Sequence, residues 1–191
     1  AAPAAPQAWL QLLRAELAER QASDAAEPLY KAALQAAPEI YTRAAYADWL
    51  LDRQRAPEAA ALLLAHGTER QAEGQDLPDA LLLRLAIAWK QSQDPRAAAA
   101  AADLRARFEA AEQRGDRSHG RERARFALDV EPDATLALAQ ARLNWAQQKE
   151  PADALLLLRA ARAAQQPAAA EAVRHFVRAT GLQDQRQRGL L

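Results

Sequence analysis

The sequence predicts an all-α chain, and its composition, its prolines and its apolar periodicity each indicate this. Half of the 191 residues are hydrophobic. Alanine and leucine dominate, while the β-branched residues that favour strands are scarce. Prolines precede alanine- or leucine-rich runs, where helices begin. Apolar residues recur within these runs at spacings of three and four, which places them on one helix face.

Proline, N-cap and glycine signals together predict ten helices. Asp94 and Asp133 are suited to cap the helices that follow them, and Asp24 with Glu27 has capping-box spacing. Short connections predict antiparallel hairpins. In chain order, we expect helices near residues 7–20, 24–36, 39–53, 57–73, 78–92, 95–114, 118–130, 133–148, 151–164 and 167–180.

The predicted organisation is a flexible leader over residues 1–6, one helical domain over 7–181 and a frayed C-terminal tail over 182–191. The alanine- and proline-rich leader is typical of a mature exported protein, which predicts a periplasmic or otherwise exported location. An arbitrary boundary is the alternative and leaves a cytoplasmic location open. No apolar run approaches the roughly 20 residues that span a bilayer, so membrane insertion is not expected.

Charge and cysteine content exclude several classes of function. The chain has 25 basic and 25 acidic residues. It lacks the basic excess of most nucleic-acid-binding proteins, so no nucleic-acid partner is expected. The chain has no cysteine, which excludes disulfides, thiolate metal sites and a cysteine nucleophile.

Chemically suggestive residues all have a simpler interpretation as helix-end or surface charges. Asp116, Ser118 and His119 are neighbours in sequence, whereas a catalytic triad needs side chains that converge in space. We therefore expect Asp116 or Ser118 to cap the helix that begins near His119. Glu171 and His175 share a helix face but supply only two metal ligands. Asp48 and Asp52 are expected on a solvated face. We therefore expect no catalytic residue, metal or cofactor.

An internal repeat is the strongest pattern in the sequence. Leu51, Trp89 and Trp145 each lie six residues before a helix-starting proline. Each continues an apolar row with residues four and seven positions earlier, which predicts that all three are buried. The row consists of Leu51, Ala47 and Ala44, then Trp89, Leu85 and Leu82, and then Trp145, Ala141 and Leu138.

The first predicted hairpin resembles the tetratricopeptide repeat. Trp9 and Leu12, followed by Ala25, Leu29 and Ala32, stand where that family has its large and small residues. The resemblance implies a superhelical solenoid and a non-catalytic scaffold that binds a protein or peptide. Residues 118–161 are also similar to uncharacterised proteobacterial repeat proteins associated with nickel/cobalt-type permeases. This leaves an accessory of a membrane metal-transport complex as one alternative and an enzyme on a helical array as another.

In such arrays the first helices line a concave groove, so we expect ligand contacts at their exposed positions. Positions eleven and four residues before the aligned prolines, and Asn144 seven before the last, supply polar side chains suited to a peptide backbone or carboxylate. Leu50 and Ala88 complete this row. A competing polar face holds Asp48, Asp52, Lys90, Arg142 and Lys149. The predicted groove residues are Tyr46, Arg53, Arg84, Gln91, Gln140, Asn144 and Gln147.

Overall fold

A computed structural model describes residues 4–65, 76–116 and 118–191, and this part of the chain is helical without a strand. The predicted all-α class is confirmed. The described residues form ten α-helices, with 3₁₀ turns at Pro167–Ala170 and Gln185–Gln187. The helices are α1 (Ala4–Arg20), α2 (Ala26–Ala36), α3 (Ile40–Asp52), α4 (Ala56–Leu64), α5 (Asp79–Gln91), α6 (Arg96–Gln113), α7 (Gly120–Asp129), α8 (Ala134–Gln147), α9 (Pro151–Ala163) and α10 (Glu171–Thr180).

Most helix boundaries lie within a few residues of the predicted ones, and the exceptions are local. Helix α1 already begins at Ala4, so residues 4–6 are helical and not part of a flexible leader. Helix α4 ends at Leu64 because Ala65 is extended, and the remainder of the predicted 57–73 helix lies outside the described residues. Residues 1–3 of the predicted leader also lie outside them.

The predicted caps are correct at two helix starts and wrong at one. The Asp133 carboxylate accepts a 2.9 Å hydrogen bond from the Leu136 backbone N–H and caps α8. Asp94 accepts a 2.9 Å bond from the backbone N–H of Arg96. Asp24 does not cap α2; the Ser23 hydroxyl instead accepts the Ala25 N–H, and the helix begins one residue later than the capping box requires.

The chain divides into two compact units, Ala1–Leu104 and Arg105–Leu191. In the first unit α1 packs on α2, and α3, α4 and α5 pack against one another. Helix α5 is buried on nearly all sides, with Trp89 only 1% exposed. Such a helix must be apolar around its whole circumference. The run Leu81–Trp89 meets this requirement, with Arg84 as its one polar residue.

In the second unit α7, α8 and α9 pack against one another. Trp145 is buried and meets the Phe176 ring edge-on, with ring centroids 5.3 Å apart. All nine residues of the predicted apolar row are buried, so the expectation for Leu51, Trp89 and Trp145 and for their row is confirmed.

The C-terminal segment is not frayed, contrary to the prediction for residues 182–191. Leu182 and Leu190 pack against the core of the second unit, and Gln187 is only 1% exposed. The Asp184 carboxylate accepts the Arg186 backbone N–H at 3.0 Å and starts the last 3₁₀ turn. Burial of the two leucines outweighs the polar character on which the prediction relied.

Five helix ends in the described part share one turn geometry. After α5, Gln93 has a φ of 57°, its N–H reaches the Lys90 carbonyl, and the Asp94 N–H reaches the Trp89 carbonyl. These two bonds define a Schellman motif, which favours glycine at the left-handed residue. The turn before Pro151 differs because Gln148 is extended, so the three aligned prolines do not follow equivalent turns. The left-handed residues are Ala22, Gln54, Gln93, Gly115 and Gln165.

Candidate functional site

The predicted groove residues do not form the uniformly exposed row that the sequence suggested. Tyr46 and Asn144 are buried, each 6% exposed, and Leu50 and Ala88 of the same row are buried too. Exposure of the row is therefore wrong at these positions. Arg53, Gln91 and Gln147 are exposed, and Arg84 and Gln140 are half-buried. Whether any of them binds a ligand stays a prediction.

Tyr46 lies in an aromatic cluster between α2 and α3. Its ring stacks on Tyr30, with centroids 5.5 Å apart, and lies 6.0 Å from the ring of Trp49. Its hydroxyl donates a 3.2 Å hydrogen bond to the Glu27 carboxylate. Burial and the nearby charge of Glu27 raise the pKa of Tyr46 to about 12. Tyr46 is thus a packed core residue with a neutral hydroxyl.

Glu27 is the hub of an ion-pair network at the edge of this cluster. Arg55 donates to both of its oxygens, at 2.9 and 3.0 Å, and Lys31 lies 2.8 Å away. The hydrogen bonds from Arg55 and then Lys31 lower the pKa of Glu27 to about 2. Glu58 also accepts two 2.6 Å bonds from Arg55. The network balances its charges internally and is suited to hold helices together.

The predicted groove residue Arg53 has a partner within its own unit. Its guanidinium lies over the Trp49 ring, 4.0 Å from the centroid, in a cation–π contact. Arg55 lies 5.3 Å from the same centroid. Both arginines therefore cover an otherwise buried indole, which accounts for their position without a ligand.

Arg84 and Asp48 were expected on opposite faces, in the groove and on the competing polar face, but the structure pairs them. Arg84 Nη2 donates to Asp48 Oδ2 at 2.7 Å. The same guanidinium donates to the backbone carbonyls of Ala44 at 3.2 Å and Ala80 at 2.7 Å. The assignment to separate faces is wrong, because α3 and α5 pack together and bring the two side chains into contact.

Asn144 belongs to a buried polar network in the second unit. Its amide Nδ2 and the Nε of Arg121 each donate to Asp153 Oδ1 at 2.7 Å. The other oxygen of Asp153 accepts the Glu150 backbone N–H at 2.9 Å, within a capping box that starts α9. Burial disfavours the charge of Arg121, but its bonds to Asp153 and Glu150 outweigh this and raise its pKa.

Close packing of two helices makes this network compact. A Cβ placed on Gly120 would lie 3.3 Å from the Asn144 Cβ, so the start of α7 approaches α8 closely at this point. Glu150 and Asp153 have the three-residue spacing of a capping box, so this part of the network could have been recognised in the sequence. Nothing local in the sequence indicated that Arg121, from another helix, would complete the network.

The region of Asp116, Ser118 and His119 lacks the order of a catalytic triad. Asp116 Oδ1 accepts the Ser118 hydroxyl at 2.7 Å and backbone N–H at 2.9 Å, while His119 Nε2 lies 3.4 Å from the other Asp116 oxygen. In a triad the histidine lies between the acid and the serine. Here Asp116 lies between Ser118 and His119. The hydrogen bonds from Ser118 lower the pKa of Asp116. The three residues form the turn before α7.

The described residues hold no group of three or more histidine, aspartate or glutamate side chains able to bind a metal. Glu171, one of the residues considered for such a site, instead faces Arg178 at 2.9 Å and Arg174 at 3.4 Å. Its pKa is lowered by hydrogen bonds from these two arginines.

One surface feature was missed by the sequence analysis, and we call it the α1 patch. Helix α1 buries one face and exposes a second apolar face, and the first two residues of α3 are exposed apolar side chains as well. Trp9, which occupies a large-residue position in the resemblance to the tetratricopeptide repeat, is 53% exposed. Its ring lies 6.0 Å from that of Tyr41. The α1 patch consists of Trp9, Leu10, Leu13, Leu17, Ile40 and Tyr41, all between 42% and 53% exposed.

The α1 patch has a signal in the sequence that could have been found. Ala8, Leu12 and Ala15 form the buried face, whereas Leu10, Leu13 and Leu17 form a second row with the same helical spacing. A helix that packs on only one neighbour needs one apolar face. The second row therefore indicates a surface available to another molecule.

No protein-family model, curated protein or solved structure matches the chain. The resemblance to the tetratricopeptide repeat accordingly stays a prediction. Within the described ranges, no helix has both the length and the apolar character needed to cross a membrane.

Proposed function

We propose that this chain is a non-catalytic scaffold that binds another protein through the α1 patch. The observation that carries the proposal is the shared exposure of these side chains: four large apolar side chains on α1 are half exposed, as are Ile40 and Tyr41, and the Tyr41 ring lies 6.0 Å from that of Trp9. Six such side chains expose roughly 600 Å² in total. Contiguous apolar patches of this size on soluble domains commonly mark interaction sites.

The rim of the patch supports a protein partner. The Tyr41 hydroxyl donates a 3.0 Å hydrogen bond to the Glu16 carboxylate, so the polar end of this side chain is already satisfied. Trp and Tyr are enriched among the residues that contribute most of the binding energy in protein interfaces. A tetratricopeptide-like array in an exported location is compatible with this role and remains part of the proposal.

The predicted groove is the weaker surface for this function. Tyr46 and Asn144 are buried, and Arg84 is engaged with Asp48 and two carbonyls. Only its exposed members, Arg53, Gln91 and Gln147, are placed to meet a ligand directly. No observation favours the alternatives of a metal-transport accessory or an enzyme.

The experiment is a comparative capture from a lysate of cells that make the protein, read by quantitative mass spectrometry. We expect Leu13→Arg to lose proteins that the wild type retains, because a charge in the middle of the patch opposes apolar contact. Leu143→Arg is the matched control, since Leu143 is an exposed leucine on α8, at 53% against 42% for Leu13.

Circular dichroism must show the same helix content for both variants. Equal capture by wild type and Leu13→Arg would contradict the proposal. Loss of capture only in a combined Arg53→Ala and Gln91→Ala variant would move the binding surface to the predicted groove.

A further inference from the structure

We infer that the α1 patch seats a second copy of this chain, in a two-fold symmetric pair of α1 helices. The inference rests on the proposed function, that the patch binds protein, and names the partner. Trp9, Leu13 and Leu17 are spaced four residues apart, so they form one continuous ridge along α1.

A ridge with this spacing is suited to pack against its own copy. Two helices whose four-residue ridges interdigitate cross at about 50°, the commonest packing class between helices in globular proteins. A two-fold axis that passes through Leu13 and lies nearly perpendicular to α1 reverses the second helix. It therefore sets Trp9 of one copy against Leu17 of the other, and the two leucines at position 13 meet at the axis.

The area of the patch sets an upper limit on the interface. Complete burial of its six half-exposed side chains would remove roughly 600 Å² from each copy, or about 1,200 Å² in the pair. This lies at the lower end of the range for specific, stable interfaces. The buried area reaches this range only when Tyr41 and Ile40 are included with the side chains of α1. An interface of this size is suited to a reversible dimer.

The ridge itself carries no ionisable side chain, so contact between two ridges buries no isolated charge. Arg14 and Arg20 flank the ridge on the same helix, where Arg14 is exposed and Arg20 is half-buried. The nearest acid, Glu16, is already bonded to Tyr41 within its own copy. The formal net charge of the chain is zero at pH 7, so two copies approach without long-range repulsion.

The test measures mass in solution by sedimentation equilibrium and light scattering, from about 1 µM to about 1 mM protein. We expect wild type to shift from monomer to dimer with concentration. Leu13→Arg and Leu13→Glu should each raise the dissociation constant at least about 100-fold, because two like charges meet at the axis. Leu143→Arg, the control, should dimerise as wild type does.

Mixing the two charge variants gives the decisive measurement. If the side chains at position 13 meet at a two-fold axis, Leu13→Arg and Leu13→Glu should form a mixed dimer although each alone is monomeric. The recovered dimer also shows that both variants are folded. A wild type that is monomeric throughout, or charge variants that dimerise unchanged, would overturn the inference.

These outcomes separate the inference from the proposed function. A monomeric wild type whose captured proteins are still lost in Leu13→Arg would refute the second copy and leave the binding surface in place. A dimer that is insensitive to Leu13 but sensitive to Leu143→Arg would place the contact on α8 and also refute the inference.

Discussion

The Asn144 amide donates a 2.7 Å hydrogen bond to the Asp153 carboxylate, between α8 and α9. The carboxylate is almost fully buried and also receives the Arg121 guanidinium. The Asn144 carbonyl in turn accepts a 2.9 Å bond from the Gln148 side chain. Both ends of an amide that was expected to face a ligand are therefore hydrogen-bonded within the second unit.

Asn144→Ala should destabilise the second unit by about 1–3 kcal/mol. The substitution removes one donor to a buried carboxylate oxygen and leaves that oxygen with only the Arg121 bond. Losing one partner of a buried polar group costs more than removing both, because the remaining group stays desolvated. Urea unfolding at neutral pH measures the change. Gln147→Ala is the control on the same helix, and because Gln147 is exposed, its effect should stay within about 0.5 kcal/mol. Equal stability of the two variants would contradict the network.

Arg84→Ala should reduce the free energy of unfolding by about 1.5–3 kcal/mol. Its guanidinium joins α5 to Asp48 and to the Ala44 carbonyl of α3, and hydrogen bonds involving a charged group are worth about that much. Thermal and urea unfolding of Arg84→Ala, Asp48→Ala and the double variant give a double-mutant cycle. Gln91→Ala is the exposed control on α5. Additive effects of the two single changes would show that the pair is not coupled.

The helices and the buried tryptophans could be predicted because their signals are local. A proline in the first turn, the Asp133 cap and the three- and four-residue apolar spacing act within one or two turns of chain. Trp89 and Trp145 occupy the apolar row of their own helices. Burial of both required no knowledge of which other helix packs against them.

The faces of the helices could not be predicted in the same way, because they depend on which neighbours pack there. Helix α5 is covered on nearly all sides, and only Lys90 and Gln91 are exposed on it. It therefore offers no continuous exposed face that could line a groove. Tyr46 is buried because α2 supplies Tyr30 and Glu27 to its ring and hydroxyl. Trp9 is exposed because α1 turns its Leu12 face inward.

Glu27 should make stability fall with acid. Its folded-state pKa of about 2 is depressed from 4.5. Its contribution is therefore present above pH 4.5 and is lost as the pH falls from 4.5 towards 2. Unfolding free energies of wild type and Glu27→Gln across this range should converge as the pH falls. The reciprocal change, Arg55→Gln, should flatten the same part of the profile. Parallel curves for wild type and Glu27→Gln would show that the network does not couple to folding.

The turn after α5 predicts a stabilising substitution. Gln93 has a positive φ of 57° in a Schellman motif, a conformation that costs a residue with a Cβ roughly 1 kcal/mol relative to glycine. Gln93→Gly should therefore raise the free energy of unfolding by about 0.5–1 kcal/mol, less the entropy that glycine adds to the unfolded chain.

Gln91→Gly, two residues earlier and inside the helix, is the matched control for that entropy. It should lower stability by up to about 1 kcal/mol, because glycine gains nothing from a right-handed helical φ. Urea unfolding of the two variants side by side measures the difference in sign. If both substitutions destabilise equally, the left-handed turn at Gln93 is not the conformation in solution. If Gln54→Gly and Gln165→Gly stabilise as Gln93→Gly does, the same turn recurs after α3 and α9, as the backbone hydrogen bonds there indicate.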